Sequence, residues 1–167
     1  LLNQGPAFYF MYREHARVFT DVGVWDNYSV TVTGRGEPER VRVVGVTDGV
    51  LPLLGVQPAL GRAFTRQDDT PGQPLRVILT HGYWQRRFAG DPGVVGRNIT
   101  LNGAAFTIVG VTAPRFGGTY IGLNLNLYLP ITTMPLLTGD GEQLLGGRQE
   151  RSFGVVGRLK PGATAAQ

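Results

Sequence analysis

DPGVVGRNITLNGAAFTIVGV, residues 91–111, decides the fold class. Two alternating segments, RNITL and AFTIVGV, flank Asn102-Gly103. A two-residue type I′ loop needs φ > 0 at both central positions, which Asn and Gly tolerate best. The stretch therefore reads as a β-hairpin. Its register is pinned, because a one-residue slip would turn its apolar face outward. Gly96 and Gly110 read as bulges or close backbone approaches, with a plain strand position the alternative. Nothing in the stretch is placed for catalysis; it is architectural.

Upstream, RVILT (residues 76–80) reads as a buried strand. Thr80 can cap the short helix HGYWQRRFAG, which Gly90 and Asp91-Pro92 terminate. Further back, alternation from about Trp25 to Thr33, the turn GRGEPE and then ERVRVVGVT predict an antiparallel hairpin. Apolar groups at Phe8, Met11, Tyr12, His15, Val18 and Phe19 predict an amphipathic helix over 7–20. Residues 48–64 are broken by Pro and Gly, and predict one short helical turn near Val50 to Leu54 followed by loop. Downstream, NLYLPI is a strand stopped by Pro130, and residues 132–150 are a helix-or-loop excursion. RSFGVVGRL is the last strand, and KPGATAAQ looks like a helix start.

At 167 residues, with 42% hydrophobic and 17% charged side chains, the chain has a globular composition. Its 25 glycines and 11 prolines imply short elements and many turns. The net charge of +4 comes almost wholly from arginine, Lys160 being the lone lysine. These charges are scattered apart from Arg86-Arg87, without the clustering of a nucleic-acid face. With no cysteine, disulfides, thiolate metal sites and cysteine nucleophiles are excluded. No run approaches the ~18–20 apolar residues of a membrane span. The abrupt ends suggest a piece of something larger.

Catalytic patterns are missing. The two serines, Ser29 and Ser152, lie in predicted strands outside any G-x-S-x-G elbow. His15 and His81 have no metal-ligand spacing. Asp68-Asp69 is the adjacent acidic pair of the TRQDDTPG connection; sequence neighbours point apart, so capping or turn formation explains them better than acid–base work. Asp140 and Glu142 lack calcium-loop spacing, and Asn27-Tyr-Ser and Asn98-Ile-Thr match only the common glycosylation triplet. Phosphate-binding glycine motifs are absent. No catalytic, cofactor or metal site is therefore assigned, and the substrate or partner interface is left open. Tyr9, Tyr12, Trp25, Tyr28, Tyr83, Trp84, Tyr120 and Tyr128 could line a sugar-binding face, but core packing suits their positions better.

The order of phrases carries a family resemblance. GEPERVRVVGVTDGVLPLLGVQPALGRAFTRQDD, then VILTHGYWQRRFAGDPGVVGRNITLNGAAFTIVGV, LYLPI and VVGRLKPGATAAQ resemble the periplasmic core domain of MacB/FtsX-type ABC transporter permeases. The most specific run is Trp84, Arg87, Phe88, Ala89 (where Gly often stands), Gly90, Asp91, Pro92, Val94, Val95, Gly96 and Arg97, followed by Leu101-Asn102-Gly103 and Val109-Gly110-Val111. The resemblance implies an α+β fold: a porter-like α/β part over 1–73 and 151–167, truncated, and an inserted smaller β-rich part over 74–150. It also implies an extracytoplasmic domain of a bacterial inner-membrane protein, set between two membrane helices of a permease. A separate ATPase subunit or domain drives such proteins. A dimer mate and a periplasmic adaptor are further implied partners, and nucleic acid is not one. The domain would be non-enzymatic and without cofactor, transmitting ATP-driven conformational change and docking partners or export substrate. Two rivals stand beside it. One is a free-standing extracellular carbohydrate- or peptide-binding module, which needs the aromatics exposed. The other is a small hydrolase built from Asp26, Asp48 and Asp69, which needs two carboxylates about 5–10 Å apart.

Overall fold

The structure, a computed structural model, describes residues 3–4, 19–114, 116, 124–139 and 153–163. The strands are β1 (Asn3–Gln4), β2 (Phe19–Thr33), β3 (Glu39–Val46), β4 (Pro58–Gly61), β5 (Arg76–Leu79), β6 (Asn98–Leu101), β7 (Ala104–Thr112), β8 (Leu127–Pro130) and β9 (Phe153–Leu159). The helices are α1 (Val50–Leu53), α2 (His81–Phe88) and α3 (Met134–Thr138), with 3₁₀ turns at Pro92–Val94 and Ile131–Thr133. The fold is α+β.

All described strands join one mixed sheet in the order β1-β9-β2-β3-β8-β5-β7-β4, and β6 pairs with both β2 and β7. Through β6 the path returns on itself, linking β2, β3, β8, β5, β7 and β6 in a closed circuit. Alternate residues of these strands gather in one buried cluster: Val30 and Val32, Val41 and Val43, Val77 and Leu79, Ile99 and Leu101, Phe106 and Ile108, Leu127 and Leu129. That period of two is what a closed, filled sheet requires, since successive side chains point to opposite faces. Each such side chain contributes roughly 1.5–3 kcal/mol on burial. Tyr83, Trp84 and Phe88 of α2 join the same cluster. The intervening residues Val44, Val46, Ile78 and Tyr128 pack instead with Trp25, Val50, Leu51 and Phe64 in a second core.

β2 is the spine. Its first part pairs with β9 from Phe19 to Trp25, and its second pairs with β3 from Trp25 to Val32. Trp25 is shared, opposite Val46 on one side and Gly154 on the other. A Cβ on Gly154 would lie 2.3 Å from Trp25 Cε2, so only glycine admits the buried indole here.

The 91–111 stretch folds as its sequence predicts. Asn102 and Gly103 have φ of 46° and 84°, the left-handed pair of a type I′ turn. Thr80 caps α2, its hydroxyl accepting from the Tyr83 N–H at 3.3 Å. The helix ends in left-handed Ala89 (φ 52°) and Gly90 (φ 68°). Gly110 sits at a register shift between β5 and β7, and a Cβ there would meet the Arg62 carbonyl at 2.5 Å. Gly96 is neither bulge nor close approach. It is a positive-φ residue (92°) whose N–H donates to the Ile108 carbonyl.

Two readings change. Phe19 and Thr20, expected at the end of a helix, open β2 instead, because β9 supplies the ladder partner Leu159; residues 7–18 lie outside the described residues. Residues 58–61, expected as loop, form β4 against β7. A strand headed by Pro58 suits a short edge position, where the missing N–H costs no ladder bond. The excursion after Pro130 begins with the 3₁₀ turn and α3; its continuation past Gly139 lies outside the described residues, as do Ser152 and the end of KPGATAAQ. Strands from both predicted parts share the sheet, through β3–β8 and β2–β6.

Candidate functional site

Two clusters of described titratable groups join separate elements. At the first, α2 is fastened to the β2–β3 hairpin. Arg86 Nη1 lies 2.6 Å from Glu39 Oε1, and Arg87 Nε lies 3.7 Å from Glu39 Oε2. Arg87 also donates to the Arg35 carbonyl, while the Arg35 guanidinium stands 4.8 Å over the Phe88 ring. Glu39 is distant in sequence from the arginine pair, so no local pattern announced this contact. The adjacency of Arg86 and Arg87 was its one trace. The ion pairs are partly exposed and contribute modestly each; the joint positions α2 more than it stabilises the fold.

The second joint is Asp68-Asp69, whose carboxylates point apart as neighbours should. Buried Asp68 accepts from Arg62 Nη1 at 2.6 Å and from the Thr65 N–H at 2.8 Å. Burial opposes its charge, but these donors hold its carboxyl below the usual range. Asp69 reaches the other way, accepting from the Asp48 N–H at 3.3 Å and the Thr132 hydroxyl at 3.3 Å. It thus ties the β3–α1 loop to the turn after β8. Burial, with the Asp48 charge adding, raises its pKa to about 6 despite the Thr132 and Asp48 donors.

The Asp69 shift sets a sign. Because its folded pKa lies above the ordinary 3.8, folding favours the protonated carboxyl. Its contribution is fully present below the unfolded pKa and is lost as pH rises through about 6. Two pKa units correspond to about 3 kcal/mol, of which roughly half remains at pH 5. Urea unfolding is therefore expected to show higher stability at pH 5 than at pH 7.5, and Asp69→Asn should flatten most of that difference. Asp68 acts in the opposite sense, but its window lies below the ordinary carboxylate pKa, outside this interval. An unchanged slope in Asp69→Asn would assign the effect elsewhere.

Two asparagines act as clasps on the closed circuit. Asn102 donates its N–H to the Thr31 carbonyl and accepts the Thr31 N–H on Oδ1 at 2.8 Å, while Nδ2 donates to the Leu137 carbonyl at 2.8 Å. Asn126 treats Arg42 the same way: its N–H donates to the Arg42 carbonyl and its Oδ1 accepts the Arg42 N–H at 3.2 Å. Each extends a seam by one rung, β2–β6 and β3–β8 respectively. The turn chemistry explained Asn102 only in part.

The remaining candidate residues do not converge. Ser29 is an ordinary half-buried residue of β2, and His81 packs edge-on to Trp84 with ring centroids 5.2 Å apart. Asp48 and Asp69 are brought together through a backbone N–H, whereas Asp26 accepts from its own neighbour, Asn27. Among the described residues no group of three or more His, Cys, Asp or Glu could hold a metal ion. Trp25, Tyr83, Trp84 and Tyr128 are buried and Tyr28 is half-buried, so they form core and not an exposed stacking face. Their burial leaves Tyr128 with its pKa raised by desolvation. His15, Tyr9, Tyr12, Tyr120, Asp140 and Glu142 lie outside the described residues. No described helix is long and apolar enough to cross a membrane.

The model of the MacB-like periplasmic core domain matches residues 7–167, and the chain belongs to that family. No curated protein matches the chain by sequence. Among solved structures, the periplasmic region of MacB from Actinobacillus actinomycetemcomitans aligns at a TM-score of 0.71 and 15% identity, over 99% of this chain and 69% of that one. The extracellular domain of the noncanonic ABC-type transporter YknZ from Gram-positive bacteria aligns at 0.65 and 17% identity, over 92% and 71%. The chain is thus a periplasmic or extracellular domain of an ABC transporter permease, a family generally without enzymatic activity and served by an ATPase partner.

Proposed function

We propose that this domain relays ATP-driven movement from the membrane helices of its permease to a partner or export substrate, and does so without chemistry of its own. The observation that carries the reading is β2, one strand of 15 residues that belongs to two ladders. Its first half is bound to β9 and its second to the closed circuit, so displacement of the β9 side is handed on through a backbone and not through a loop. A sheet transmits force well because its hydrogen-bonded rungs move together, and closure removes the free edge along which strands would slip. The division into a porter-like part over 1–73 and 151–167 and an inserted part over 74–150 belongs to the same proposal, with the seams β3–β8 and β2–β6 as the places where the two meet. A dimer mate and a periplasmic adaptor would be the recipients of the motion.

The test uses the membrane-embedded permease with its ATPase. The chain has no cysteine, so Leu136→Cys provides a single exposed label in this domain. A non-hydrolysable ATP analogue is expected to shift the emission of an environment-sensitive dye there. A topology reporter fused to the domain should read outside the cytoplasm. Nucleotide binding by the ATPase with no change in the dye would sink the relay, whatever the topology.

A further inference from the structure

A cleft of about 820 Å³ opens beside the first turn of α2, within the size range of small-molecule sites. Its charged wall holds Glu39, Arg40 and Arg86, and its apolar wall holds Pro114, Phe116 and Tyr128. Glu39 is already taken by Arg86 at 2.6 Å and by Arg87. Arg40, exposed on β3, makes no hydrogen bond or ion pair among the described residues. Of the guanidinium groups lining the cleft, Arg40 alone is without a carboxylate partner among the described residues. His81 also lines the wall, its ring against Trp84.

Three features complete the site. Asn124, exposed at its rim, has no partner among the described residues. Gly82, also on the wall, has nothing within 4 Å of where a Cβ would stand, so the first turn of α2 is open to an incoming group. Tyr128 is fully buried and its hydroxyl has no hydrogen-bond partner among the described residues, an orphan of the kind that folded proteins rarely leave. A guanidinium reads a carboxylate through two parallel N–H···O bonds. Half-buried Phe116 offers a face for a flat body, with the buried Tyr128 ring 6.0 Å behind it.

We propose that this cleft binds a small organic acid, one carboxylate on an aromatic body, with Arg40 as its counter-ion. The site stands independently of the relay, since its test needs neither membrane nor ATPase. The probe is 3-phenylpropanoate, with 3-phenylpropanamide and acetate as its two halves, each titrated to ~10 mM into the full chain and followed by amide NMR shifts. The acid is expected to move Gly82, Asn124 and Asn126 saturably and to bind at least about tenfold more tightly than either the amide or acetate, the factor that one charge-assisted contact supplies. Arg40→Gln should abolish the preference for acid over amide. Arg66→Gln, which removes an exposed arginine outside the cleft, should leave it intact. Because Arg40 has no bonds to lose, its variant should keep the wild-type spectrum elsewhere. Equal binding of acid and amide, equal binding of acetate, the same preference in Arg40→Gln, or no saturable shift would each overturn the proposal.

Discussion

Gly61→Ala is expected to lose about 4 kcal/mol of stability, a fall in the thermal midpoint of roughly 8–16 °C. Two costs combine at this residue. Gly61 has φ of 67°, a conformation that costs an L side chain roughly 1–2 kcal/mol. A Cβ there would also stand 2.0 Å from the Val109 carbonyl oxygen and 2.9 Å from Gly110 Cα. Those are backbone atoms of β7, and they cannot retreat without breaking the β4–β7 pairing or the β5–β7 pairing behind it. Overpacking against so rigid a neighbour exceeds the 1–3 kcal/mol usual when side chains can yield. Two further variants separate the terms. Gly72→Ala has the same positive φ (81°) but open space around it, so it should lose only about 1 kcal/mol. Gly110→Ala has the clash without the positive φ, its Cβ 2.5 Å from the Arg62 carbonyl, and should fall between them. Thermal unfolding of the three variants side by side checks the order. If Gly61→Ala and Gly72→Ala lost the same amount, the close approach of β4 to β7 would contribute nothing.

Asn102→Ala is expected to lose about 3 kcal/mol. Alanine pays the left-handed φ of 46° and leaves both the Thr31 N–H and the Leu137 carbonyl without their side-chain partner. Each hydrogen bond contributes about 1 kcal/mol net. Asn102→Gly relieves the backbone while still deleting both bonds, so it should lose about 1 kcal/mol less than the alanine variant. Asn102→Asp keeps the acceptor for Thr31 but has no donor for Leu137, and should fall near the glycine variant. Chemical denaturation of the series gives the order wild type, then Gly and Asp, then Ala. A glycine variant as stable as wild type would mean that the asparagine serves the turn alone and the clasp is idle.

Those two sites separate what local sequence dictates from what the folded partner strand dictates. Asn102-Gly103 announces a type I′ turn because the requirement for φ > 0 at two neighbouring residues is local and severe. The Thr80 cap, the stop at Gly90 and the alternation in β2, β3, β6 and β7 are equally local, each decided within a few residues of backbone. Gly110 was legible as a bulge or close approach, but Gly61 carries no such mark: two strands pressed together leave no room for its Cβ, and the partner strand is known only once the chain is folded. Ala89 shows that a non-glycine residue can hold the left-handed cap, its own N–H and that of Gly90 donating to the Trp84 carbonyl.

The candidate sites divide in the same way. The family resemblance named the class of protein from ordered phrases, and the lack of catalytic spacing was plain from residue types alone. The Glu39 joint with Arg86 and Arg87, the reach of Asp69 to Thr132, and the cleft beside Arg40 all unite residues from separate strands and loops. By itself the sequence determined the hairpins, the α2 cap and the alternating apolar faces, because dihedral preference and side-chain period act between near neighbours. Only the tertiary structure decided that β6 returns to β2, that residues 19–20 and 58–61 become strand, and which charges meet, because hydrogen-bond partners and burial are supplied by parts of the chain far away in sequence.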